Sequence, residues 1–161
     1  MQDYTAIKDV VGICRDAEQG FRGAANAVKS PLLKSLFEEY SIQRSEFAQQ
    51  LREAARSMGM EVGDSSGVGG MLHAGWMELK AAVSRHDEHQ ILVETERGED
   101  FSIRTYREAL GLSISEAIRT ILANQLTEIL RAHDRIRELR DSTVRHKVPE
   151  EQAGTGGVPH V

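Results

Sequence analysis

Four stretches of this chain repeat apolar side chains every three or four residues, and that period commits them to helices. Ile7, Val11, Cys14, Phe21, Ala25 and Val28 step along one face of a first helix expected over about residues 3–28. Leu33, Phe37, Tyr40, Phe47, Leu51, Ala54 and Met58 do the same for a second, over about 31–58. Leu92, Ile103, Tyr106 and Leu110 mark a third, and Leu122, Leu126, Ile129 and Ile136 a fourth that ends near Asp141. The punctuation agrees with the period. Asp3 can cap the first helix, and Ser30 with Pro31 at the first helical position opens the second. Gly59 and Gly111 suit the left-handed or loosened residues that end helices. Asp87–Gln90 and Ser113–Glu116 have the spacing of capping boxes.

Between the second and third long helices lies a Gly- and Ser-rich stretch, residues 63–70, and then a short helix expected over 71–83. Leu72, Trp76, Leu79 and Val83 share one side of it. A connection this long lets the chain travel the length of a bundle, so the third helix need not run antiparallel beside the second. From Val144 to Val161 two prolines and three glycines occur with no apolar period, which reads as a disordered tail after a domain of residues 1–143. No internal repeat at a solenoid period is visible.

Composition narrows the function classes. The 161 residues are enough for one domain with a real core, and a hydrophobic fraction of 40% with 28% charged residues fits a globular chain. Aromatic residues are only 5%, as expected of helices more than of a sheet. A net charge of −5 argues against a sequence-independent grip on nucleic acid. Apolar runs are too short for a membrane span, and the start of the chain lacks a leader pattern, so a cytoplasmic protein is the expectation. One cysteine, Cys14, excludes an internal disulfide and, on an apolar stripe, reads as a buried inert thiol. The arginines at 131, 135, 137 and 140 alternate with Asp134, Glu138 and Asp141, which is an ion-pair face and not a phosphate track. Gly67–Gly70 lacks the Lys-Ser or Lys-Thr of a phosphate loop, and no nucleophile triad can be assembled.

The informative residues are polar ones on apolar stripes: Glu18, Arg44, Glu99 and His133. Buried charges need partners or a metal. Four long helices with a crossover resemble the ferritin–rubrerythrin superfamily, whose bundles hold two irons with two lone Glu residues and two Glu-x-x-His motifs. Glu18, in Asp16-Ala17-Glu18-Gln19-Gly20-Phe21, matches the lone Glu of the first helix, and Glu99, in Gly98-Glu99-Asp100, that of the third. The second-helix motif falls on Arg44 and Phe47, and the fourth on Leu130 and His133. Three of six ligand positions are therefore kept. The runs Cys14–Phe21, Leu72–Trp76, Glu96–Asp100 and Ala132–Asp141 are similar to a bacterial ferritin-like, rubrerythrin-like four-helix-bundle family of unknown function.

The resemblance implies an all-α, ferritin-like four-helix bundle with a short extra helix in the crossover. Arg44 stands where a ligand is required and carries a permanent charge, so the expected arrangement is a buried ion cluster of Glu18, Arg44, Glu99 and His133 with no metal. The expected function is a non-catalytic structural or interaction protein, with self-association or an unidentified protein partner. The alternative is a mononuclear Fe, Mn or Zn site on Glu18, Glu99 and His133, serving metal handling or oxidative stress. A third reading is a small-ligand pocket lined by Tyr40, Tyr106 and Trp76. His73 and Trp76 form a candidate packing pair in the crossover, with His73 bonding a backbone carbonyl. His86 and His89, lacking a third ligand, read as ordinary exposed polar residues.

Overall fold

The computed structural model describes residues 1–64, 76 and 78–155, with side chains up to residue 143. The described residues hold five helices and no strand: α1 (Asp3–Ala27), α2 (Pro31–Ser57), α3 (Leu79–Arg85), α4 (Glu88–Leu110) and α5 (Glu116–Thr155). None of them is long and apolar enough to cross a membrane. Together they form a helical bundle. α1 packs on α2, α3 and α4, α4 packs on α3 and α5, and α5 also touches α2. The central place of α1 follows from its residues. Ala6, Gly12, Ala17, Gly20, Ala24 and Ala25 are all buried and small, so neighbouring helices approach from more than one side.

Helix ends set the relative directions. At the start of α1, the Gln2 N–H donates to the Ser113 carbonyl at 2.7 Å, and Ser113 N–H donates to Gln2 Oε1 at 3.0 Å. At its far end, Glu88 Oε1 accepts from the N–H groups of Lys29 and Ser30 at 3.0 and 2.9 Å. His86 Nδ1 lies 3.0 Å from the Ala27 carbonyl oxygen. α1 thus begins beside the end of α4 and finishes beside its start, so the two run antiparallel.

Several caps follow the sequence. Ser30 accepts from Leu33 N–H with Pro31 at the first helical position, and Asp87 accepts from Gln90 N–H at 3.1 Å. Gly59, just past α2, takes the left-handed φ of +81°. Asp3 departs from expectation. It is the first residue of α1 and caps nothing there. Its carboxylate instead accepts from Ser115 N–H at 2.8 Å, serving the start of α5 across the bundle. Met58, expected to face inward, is exposed because it lies beyond the last turn of α2.

Two boundaries also differ. The short helix is described over Leu79–Arg85, while residues 71–75 and 77 of the expected span, His73 and Leu72 among them, lie outside the described residues. The last helix does not end near Asp141 but runs to Thr155, so the backbone is helical across the boundary drawn at residue 143. Extending a formed helix needs no new nucleus, and Lys147, Glu150, Glu151, Gln152 and Ala153 favour it, while Pro149 among them has no N–H to donate and works against it. Residues 156–161 of the expected tail lie outside the described residues.

Candidate functional site

The stripe of α2 carries Arg44 into the interior, and that of α4 brings Glu99 to meet it. Arg44 Nη1 and Nη2 donate to Glu99 Oε1 and Oε2, each at 2.5 Å, and both side chains are 0% exposed. This is a parallel two-bond pair, the geometry a planar guanidinium and a carboxylate share. The Nε N–H of Arg44 donates to Gln43 Oε1 at 3.1 Å. Burial works against the Arg44 charge, but Glu99 outweighs it and holds the guanidinium above its ordinary pKa. The guanidinium also lies 5.3 Å from the centre of the Phe21 ring, a cation–π contact on its face.

Phe21 is the hub of an aromatic seal over this pair. Its ring centre is 5.4 Å from that of Tyr40, 6.0 Å from Phe37 and 5.1 Å from Trp76, the last edge-on. Trp76 is completely buried and wedged between α1 and α4. Two helical glycines make that wedge fit. A Cβ on Gly20 would stand 2.4 Å from the indole, and one on Gly98 would stand 2.5 Å from it. Neither glycine needs unusual backbone angles, so clearance for the ring is what they provide.

A second polar layer involves Cys14 on α1 and Tyr106 on α4. Cys14 Sγ and the Tyr106 hydroxyl are 3.2 Å apart, and that hydroxyl donates to Gln125 Oε1 at 2.7 Å. Gln125 Nε2 in turn donates to the Phe47 carbonyl at 3.3 Å and to Gln50 Oε1 at 2.9 Å, tying α5 to α2. Burial pushes the Cys14 thiol up to about 11 and raises the Tyr106 hydroxyl well above its usual range. The thiol is therefore inert near neutral pH, as its place on the stripe implied.

The four stripe charges do not form one cluster. Glu18 faces the α1–α2 rim, where Arg15 Nη1 holds it at 3.0 Å and Arg22 Nη2 at 3.5 Å. Arg15 also binds Ser45 and Asp64, and Arg52 reaches Asp64 at 3.2 Å, so the same group pins the chain after α2. His133 faces α4 on the other side of the bundle. Its Nε2 is 2.7 Å from Asp100 and 3.7 Å from Glu96, with Nδ1 3.5 Å from Asp134. Arg140 joins Glu96 as well. Glu18 and His133 lie at the edges of their stripes, 12% and 13% exposed, where nearer partners of opposite charge are available.

A metal does not fit this arrangement. Both oxygens of Glu99 are taken by Arg44, and Phe47 and Leu130 pack against the apolar core where the resemblance asks for ligands. Among the described residues no group of three His, Cys, Asp or Glu side chains could hold a metal ion. The alternative set of Glu18, Glu99 and His133 is split among three separate surroundings. Among the described residues Tyr40, Tyr106 and Trp76 likewise have separate surroundings: Tyr40 packs tilted against Phe21, Tyr106 joins the Cys14 layer, and Trp76 lines a groove between α1 and α3. His73 lies outside the described residues. His86 is exposed and His89 half-buried. Arg131, Arg135, Arg137 and Arg140 of α5 are paired with carboxylates as their alternation implied.

Two measurements check this geometry. Gly98→Ala drives a methyl into the indole and should cost about 1–3 kcal/mol in urea unfolding, the usual range for overpacking. The emission of Trp76, the single tryptophan, should shift to the red, whereas an unchanged spectrum and stability would remove the wedge. Alkaline titration reads the Cys14 layer. The thiol goes from 9.0 unfolded to about 11 folded, so the native state holds the proton longer. Its contribution is complete below pH 9 and falls as pH rises toward 11, by about 2–3 kcal/mol in all. Cys14→Ala should flatten the fall in unfolding free energy across that window relative to the parent.

The whole segment from α1 through the turn after α4 has counterparts elsewhere: residues 3–112 match the sequence model of a family described as a domain of unknown function, DUF2383. No curated protein matches the chain.

Proposed function

The chain belongs to the DUF2383 family of domains of unknown function, and from that premise we propose that it is a non-catalytic structural or interaction protein on a ferritin-like scaffold. In this reading the bundle is α1, α2, α4 and α5, with α3 as an extra helix in the crossover. The ancestral dinuclear metal centre has been given up, and the Arg44 guanidinium supplies the positive charge that cations supply in such bundles. The observation that carries the reading is the two-bond Arg44–Glu99 pair at full burial. A permanent, immobile cation beside Glu99 offers no open coordination position, so neither metal storage nor oxygen chemistry has a place to occur. The inert Cys14 and the paired state of Glu18 and His133 agree with a site without chemistry. Function then lies in what the outside of the bundle contacts, a protein partner or a second copy of the chain.

Metal analysis tests this. Protein purified without chelator or histidine tag, and the same protein after incubation with Fe(II), Mn(II) and Zn(II), should carry well under one equivalent of any metal after desalting. Near-stoichiometric metal that disappears in Glu99→Gln would overturn the reading in favour of a metalloprotein.

A further inference from the structure

A groove of about 600 Å³ runs between α4 and α5 on the outside of the bundle, within the range of small-molecule sites. Its floor is apolar, with Ile103 buried and Leu130 half-buried. Arg104 and Arg107 line it from α4, about one helical turn apart. These two differ from their neighbours. Every other arginine of α4 and α5 with a described side chain is in an ion pair with a carboxylate. Arg104 lies instead over the Phe101 ring at 5.5 Å, and neither it nor Arg107 forms an ion pair among the described residues. Two of the three acids that line the groove have partners of their own. Asp100 is held by His133 at 2.7 Å and Asp134 by Arg137 at 3.2 Å. Glu108, four residues after Arg104, forms no ion pair with either arginine among the described residues.

We infer that this groove binds a small organic anion, its carboxylate or phosphate group across Arg104 and Arg107 and its apolar body on Ile103 and Leu130. Both head groups accept parallel N–H bonds from a guanidinium, and a desolvated apolar floor favours a ligand with a hydrocarbon or ring portion over a bare ion. Neither Arg44 nor Glu99 lines the groove, so the inference stands apart from the proposed loss of the metal centre.

NMR titration of the full chain with octanoate, octyl phosphate, octanol and inorganic phosphate tests it. At least one of the two amphiphilic anions should shift resonances of Ile103, Leu130 and His133. It should bind about tenfold or more tighter than octanol and than inorganic phosphate, and the anion preferred identifies the head group. Arg104→Gln/Arg107→Gln, two exposed positions at which substitution leaves folding intact, should weaken that binding by about tenfold or more. The inference is overturned if neither amphiphile shifts the groove, if octanol binds equally well, or if the double variant binds as the parent does.

Discussion

A guanidinium and a carboxylate that leave water together lose their hydration, and only close, well-aligned mutual bonding compensates for that loss. Arg44 and Glu99 meet that demand with two bonds of 2.5 Å and no exposure, and much of the interior is arranged around them. Gln43 takes the guanidinium N–H at Nε. The guanidinium lies over the Phe21 ring, and Trp76 packs edge-on against Phe21. Through this chain of contacts the pair joins α2 to α4, the Phe21 ring of α1 seals it, and Trp76 packs on the seal.

The arrangement makes the pair a point of specificity more than a source of net stability. Well-packed apolar residues of similar volume often serve a core as well as a buried ion pair, while a lone buried charge is costly. A bundle whose α2 and α4 are matched by one cation and one anion therefore penalises any rotation or sliding that separates them. The Cys14–Tyr106–Gln125 layer adds a second polar match, reaching α5 and α2. Two such layers in a largely apolar interior favour one register among the many that Leu, Ile and Ala would tolerate.

Much of this was legible in the residues. The period of three and four placed the long helices, and Ser30, Pro31, Asp87 and Gly59 act at helix ends as their chemistry requires. Arg44 and Glu99 were readable as charges that had to be buried. Glu18 and His133 were not separable from them, because an apolar stripe is about 100° wide and a residue at its edge looks the same in sequence as one at its centre. Only the rotation of each helix against its neighbours decides that Arg15 and Asp100 come first. Gly20 and Gly98 carried a signal that was not used: glycine inside a helix costs about 1 kcal/mol against alanine and usually has a packing reason. Which ring fills that space depends on the crossover, and no local pattern specifies it. Asp3 was chemically right as a helix cap and wrong about which helix, since the partner lies 112 residues away.

Arg44 and Glu99 are each tolerated in the core only because of the other. A double-mutant cycle in urea measures this directly. Arg44→Met and Glu99→Leu should each cost about 3–5 kcal/mol alone by stranding a buried charge. The two together should recover most of that loss, giving a large favourable coupling. Additive costs, with the double variant weaker than either single one, would show that the two charges do not depend on each other.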